Sequence, residues 1–95
     1  LKVVFLDSVH PILAERLTAA GMQCELAWEY TKEAILETLA NASGIVLRSR
    51  FTMNEELLQF APNVQFIARS GSGLENIDIT YCQNRGIRIY NSPEG

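Results

Sequence analysis

Arginine is concentrated at two points of this sequence. Arg48 and Arg50 flank Ser49 just after the apolar run 45–47, and Arg69 closes the run 64–69 and leads into the glycine turn of "RSGSGLENID", residues 69–78. Three of the eight cations of a chain with net charge −3 thus stand at the ends of two apolar segments. A guanidinium is a planar fork of donors matched to carboxylate and phosphate oxygens. Successive backbone N–H groups in a glycine turn form a nest that holds the same kind of anion. The bland alternative is a connection in which Gly71 and Gly73 only permit positive φ, with the arginines paired to Glu29, Glu75 or solvent. The residues by themselves leave both readings open.

Gly71-x-Gly73 also invites a dinucleotide-binding reading, which fails on three counts. Asn76 stands where the third glycine of G-x-G-x-x-G would allow close helix–strand packing. The turn follows the fourth apolar run of the chain rather than the first. No acidic residue lies near Ile89 and Tyr90, where the ribose hydroxyls would need one. The turn is therefore not the phosphate loop of a Rossmann fold.

Other chemistry finds little support. The one histidine, His10, sits beside Pro11 at a helix start, a place for capping or exposure. There is no Ser/His/Asp set, no metal-ligand spacing and no nucleophile elbow. Cys24 and Cys82 are far apart in no C-x-x-C pattern and read as thiols of a reducing compartment. A receiver-type signalling domain would share Asp7 after the first strand. It would also need an aspartate after the third, where Arg48-Ser49-Arg50 has the opposite charge.

The elements that must position these residues alternate along the chain. Strands are expected at 2–6, 23–28, 44–48, 64–69 and 87–91. The first helix starts near His10, places Leu13, Leu17 and Ala20 inward and ends at Gly21. The second runs from Thr31 to about Asn41 with Ile35, Leu36 and Leu39 inward. The third opens with the capping box Thr52-x-x-Glu55 and buries Leu57, Leu58 and Ala61 before Pro62. The fourth is capped by Asp78 and closed by Gly86. Strands alternating with helices imply an α/β fold with a parallel sheet covered by helices. Unbroken apolar runs at 3–6, 45–47 and 66–68 mark central strands. The alternation of Cys24, Leu26 and Trp28, and of Ile87 and Ile89, marks edges. The predicted architecture is a flavodoxin-like three-layer domain with a five-stranded parallel sheet in the order 2-1-3-4-5. The carboxyl ends of its strands, where ligands bind in such sheets, carry the arginines.

Ninety-five residues form one small domain with a real core. The net charge of −3 argues against a nucleic-acid or membrane-surface partner. No apolar run approaches the length of a membrane span, and "LKVVFLD" is not a signal peptide. The chain reads as cytoplasmic. Because it begins on Leu1 and stops at "NSPEG", it also reads as a piece of a longer protein.

Three segments, "IVLRSRFTMNEELL", "FIARSGSGLENIDI" and "NRGIRIYNSPEG", resemble in order and spacing the amino-terminal part of the D-2-hydroxyacid dehydrogenases, and among them most nearly the D-3-phosphoglycerate dehydrogenases. That family shows I-V-R-S, then G-R-A-G-x-G-x-D-N-V-D, then G-I-x-V-x-N-x-P-x-G-N. The present chain departs with Ala68 for glycine, Ser70 for alanine and Glu75 for aspartate, and Ser72 falls at a variable position. The likeness implies two α/β domains, with residues 1–95 forming part of the substrate-binding one and the nucleotide-binding domain outside this chain. It implies that Arg48, Arg50 and Arg69 hold the phosphate or carboxylate of a small anionic 2-hydroxy acid. The N–H groups of Ser72 and Gly73 would receive the carboxylate, and Ser72 would also lie near the nicotinamide of NAD. Asn91 and Pro93 would shape the exit toward the hinge. The implied reaction is oxidation of 3-phosphoglycerate to 3-phosphohydroxypyruvate in serine biosynthesis, by a homo-oligomeric parent enzyme. Its histidine base, glutamate and catalytic arginine would lie outside the chain, leaving these residues inactive alone. A member acting on an unphosphorylated acid, or a non-enzymatic anion-binding module, are the alternatives.

Overall fold

The computed structural model describes residues 1–9, 11–71 and 74–92. The elements run β1 (Lys2–Phe5), α1 (Pro11–Ala19), β2 (Gln23–Leu26), α2 (Lys32–Leu39), β3 (Gly44–Leu47), α3 (Glu55–Leu58), β4 (Phe66–Ser70), α4 (Ile79–Asn84) and β5 (Arg88–Ser92). All sheet pairings are parallel and the strand order is β2-β1-β3-β4-β5, as the apolar runs imply. Val3, Val4 and Phe5 of β1 and the whole of β3 are buried, whereas β2 at one edge has no buried residue. His10, Ser72, Gly73, Pro93, Glu94 and Gly95 lie outside the described residues.

Successive side chains of a strand point to opposite faces of the sheet, and the two faces are unequally covered. On one, Val4, Leu6, Ile45, Leu47 and Ile67 pack against Ile35 and Leu39 of α2, Leu57 and Leu58 of α3, and Cys82 of α4. On the other, α1 is the helix that covers Val3, Phe5 and Val46 among the described residues, through Leu13, Ala14 and Leu17, with Met22 and Trp28 beside it. The connection from β1 to β2 runs one way across the sheet and the next three run the other way, so right-handed crossovers leave α1 alone on its side. A groove of about 360 Å³ results beside α1, walled by Leu17, Met22, Phe66, Ala68 and Tyr90. The inward face expected of the first helix holds at Leu13 and Leu17, which pack on this side of the sheet, and fails at Ala20. Leu13 and Leu17 are only half-buried, and Ala20 lies exposed past the helix end.

Local signals explain most boundaries. The Thr31 hydroxyl accepts the Ala34 N–H and starts α2, and the Asp78 carboxylate accepts the Tyr81 N–H and starts α4. The third helix differs from the capping-box expectation: its N-cap is Asn54, whose side chain accepts the Leu57 N–H at 3.3 Å. Thr52 cannot fill that role, because Met53 is extended in a parallel bridge to Ile77. The Met53 N–H donates to the Asn76 carbonyl, and the Met53 carbonyl accepts from the Asp78 N–H, each at 2.8 Å. The short α3 is closed from outside. Arg85 donates to the carbonyls of Leu58 at 2.8 Å and Ala61 at 2.9 Å, adding to the backbone N–H groups of Ala61 and Val64 that these carbonyls already accept. Both cysteines are free thiols, and burial pushes that of Cys82 up from its ordinary pKa.

Candidate anion site at the carboxyl ends of the strands

The ends of β1, β3 and β4 converge on one rim. In the sheet register Leu47 faces Arg69, and Arg69 faces Asn91, so Arg48 begins the loop just beyond the last β3–β4 pair. That loop is tied on both sides. The Asp7 carboxylate, following β1, accepts the N–H of Arg48 at 2.6 Å and of Arg50 at 3.1 Å. From the β4–α4 turn, the Asn76 amide donates to the carbonyls of Arg48 and Phe51, both at 2.9 Å. The backbone of Arg48 is therefore held at its N–H from one neighbour and at its carbonyl from the other, while the residue itself stays exposed.

Arg69 is the buried arginine of the rim, with its side chain 10 % exposed. Its Nε donates to the Asn76 Oδ1 at 2.6 Å, a short bond of the charge-assisted kind. Glu75 stands 4.0 Å from Nη2 but is 78 % exposed, and a pair so placed contributes little. Nη1 lies under the glycine turn. Gly71 adopts φ +142°, and a side-chain carbon there would sit 2.7 Å from Nη1. Positive φ is thus only half of what this glycine provides, since it also leaves room for the guanidinium.

Arg50 is used differently from the expectation that it holds an anion. Its Nη1 donates to the Trp28 carbonyl at 2.6 Å and the Leu6 carbonyl at 3.4 Å, its Nη2 to the Tyr30 carbonyl at 3.1 Å, and its guanidinium lies 4.9 Å from the Phe51 ring centre. It ties the loop after β3 to the ends of β1 and β2. Asn76 joins the Arg69 side chain to the Arg48 main chain, and Arg50 donates to main-chain carbonyls beside them. Ser72 and Gly73, expected to supply N–H groups, and Pro93 lie outside the described residues. Asn91 is exposed in β5, one pairing step from Arg69.

Asn76 and Asp7 are the residues whose roles the sequence concealed. Asn76 stood out only as a misplaced glycine, yet a side chain kept where the turn packs closely was itself the signal. Among the described residues, no three His, Cys, Asp or Glu side chains gather as a metal site would require. Nor does any helix of the described residues have the length and apolarity to cross a membrane.

A doubly wound parallel sheet with arginines at the carboxyl ends of its middle strands defines an α/β domain of the class that binds ligands at that edge. The comparisons give that class its family. Residues 3–95 match the family model "D-isomer specific 2-hydroxyacid dehydrogenase, catalytic domain", and the chain belongs to this family. It is 29 % identical over 94 residues to the D-3-phosphoglycerate dehydrogenase of Sus scrofa, covering 99 % of this chain and 18 % of that protein. It is 30 % identical over 94 residues to the enzyme of the same name from Methanocaldococcus jannaschii, with the same coverage. The NAD+-bound 3-phosphoglycerate dehydrogenase of Entamoeba histolytica superposes with a TM-score of 0.79 at 28 % identity, over 95 % of this chain and 32 % of that one. The chain thus spans less than a fifth of the length of the curated relatives it matches.

Proposed function

We propose that this chain is the substrate-binding part of an NAD-dependent D-2-hydroxyacid dehydrogenase, and that its substrate is 3-phosphoglycerate, oxidised to 3-phosphohydroxypyruvate. The observation that carries the reading is Asn76, which bonds the Arg69 guanidinium and the Arg48 main chain and so holds both residues on one rim of the sheet. Two arginines on one rim would suit a molecule bearing both a phosphate and a carboxylate better than a small monoanion. The names of the relatives support the same substrate.

The described residues do not themselves build a dinucleotide site. Asn76, with its side chain bonded to Arg69 and to two main-chain carbonyls, fills the place where a pyrophosphate-binding turn needs a bare glycine. NAD supplies the hydride acceptor in this reading and is held by another part of the enzyme, with Ser72 assigned to the nicotinamide end. The chain's own part is binding and orientation. Arg48 and Arg69 fix the two anionic ends of the substrate, and a group so oriented gains rate through lost freedom already accounted for. The proton acceptor for the substrate hydroxyl is likewise assigned outside the chain, so the chain alone turns over nothing.

The test is titration of the ¹⁵N-labelled chain with 3-phosphoglycerate against D-lactate and glycerate. The expected result is saturable shifts at Arg48, Arg69 and the β4–α4 turn for the phosphorylated acid, at least tenfold tighter than for the others. Equal affinity for D-lactate would discard the substrate, and no shift at the rim would discard the site. In the enzyme bearing this chain, NADH oxidation with 3-phosphohydroxypyruvate against pyruvate, glyoxylate and hydroxypyruvate decides the same question by turnover.

A further inference from the structure

We infer that Asn76 is the positioning residue of the rim: it fixes the Arg69 guanidinium relative to the Arg48 backbone, so anion affinity depends on a side chain assigned no contact with the anion. The inference rests on the reading of Arg48 and Arg69 given above, and it adds what sets their spacing.

An asparagine amide has one oxygen acceptor and two N–H donors. Here the oxygen accepts from Arg69 Nε, and the nitrogen donates to the carbonyls of Arg48 and Phe51. The orientation of the amide is fixed by its partners, since a carbonyl cannot donate and an Nε–H cannot accept. The Asn76 main chain is held as well, its carbonyl taking the Met53 N–H at 2.8 Å. Main chain and side chain therefore bind the loop after β3 to the turn after β4 at neighbouring points. With Nε bonded to Asn76, Nη1 stands close to Gly71 and Nη2 stands 4.0 Å from Glu75. The same amide holds the carbonyl of Arg48, whose N–H is held by Asp7. One side chain thus couples both arginines, and moving it moves both.

Glycine at this position would leave the same turn without that coupling. Aspartate, of equal size, would keep the acceptor for Arg69 but set a carboxylate against two carbonyl oxygens, and would neutralise the guanidinium it holds.

The experiment is a double-mutant cycle on the ¹⁵N-labelled chain, read by titration with inorganic phosphate and with 3-phosphoglycerate, and by the arginine Nε–H resonances. Asn76→Ala is expected to weaken anion binding about tenfold, the size of one hydrogen bond to a charged group, and to shift the Arg69 Nε–H resonance out of its hydrogen-bonded position. In an Arg69→Ala background the same change is expected to cost much less, because the coupling has already gone. Wild-type affinity in Asn76→Ala overturns the inference, and so does an equal loss in both backgrounds, which would make Asn76 a general support of the fold. Should Asn76→Ala not fold, Arg69→Lys keeps the charge and removes the Nε donor. A loss of affinity of similar size is then expected, and undiminished affinity overturns the inference. Absence of anion binding by the wild-type chain would instead remove the functional reading on which the inference stands.

Discussion

Replacing Gly71 by alanine tests the link between the turn and the buried arginine. The backbone at φ +142° is one that side-chain-bearing residues adopt at a cost of about 1–3 kcal/mol. The added carbon would stand 2.7 Å from Arg69 Nη1, and ordinary contact begins at 3.4 Å, so the guanidinium must retreat by roughly 0.7 Å. A flexible side chain can do that, but this one is anchored by a 2.6 Å bond to Asn76. Stretching a hydrogen bond of a charged group, worth about 1.5–3 kcal/mol intact, adds about 1 kcal/mol. Gly71→Ala should therefore destabilise the chain by about 2–4 kcal/mol. With a urea slope of about 1–1.5 kcal/mol per molar for so small a domain, the unfolding midpoint should fall by about 2 M. Gly21→Ala is the control. Gly21 has φ +89° with nothing within 4 Å of the added carbon, so it carries the backbone cost alone. The measurement is equilibrium urea unfolding followed by circular dichroism for both variants. Equal midpoints for the two would refute the claim that Gly71 makes room for Arg69, and a wild-type midpoint for Gly71→Ala would refute the strain as well.

Two further outcomes are expected. Arg85→Ala removes both donors that close α3 at Leu58 and Ala61, and should lower stability by about 1–3 kcal/mol in the same urea assay. Loss confined to a few tenths would show that water replaces the guanidinium freely. Glu25 supplies a pH dependence: the Thr38 hydroxyl, at 2.7 Å, and then Lys2, at 3.2 Å, hold its carboxyl below its ordinary pKa against an opposing contribution from burial. A lowered folded-state pKa means stability that is full above about pH 5 and is lost as pH falls through that value. Thermal melts at pH 7 and pH 3 should show a smaller acid-induced drop for Thr38→Val than for wild type, and an unchanged drop would sink the assignment.

How much of this was legible in the sequence varies by element. The strand order followed from Val3, Val4, Phe5 and the run 45–47, because a strand covered on both faces has no polar position to spare, and this is a property of single residues. The strand ends were read one or two residues off, since the end of a strand is set by its partner's register: Arg48 has the composition of a strand end but lies past the last pair, Leu47 with Arg69. The start of α3 was misplaced for the same reason, because the bridge of Met53 to Ile77 joins segments far apart in the chain. At the rim, the neighbouring main-chain positions of Arg48 and Arg69 were legible because they stand at the carboxyl ends of two paired strands. The use of Arg50 was not, because its acceptors are main-chain carbonyls of Leu6, Trp28 and Tyr30, which every residue has and no motif records.

The uneven covering of the sheet divides the domain into parts of different local stability. Helix α1 has no buried residue of its own and rests on the sheet through side chains that remain half-wet, so fraying at its ends lies low on the free-energy scale for local unfolding, whereas its full opening would uncover the buried Val3, Phe5 and Val46. The ties of the rim described above run among Asp7, the loop after β3 and the turn after β4. Fraying at the ends of α1 can therefore proceed without breaking those particular bonds.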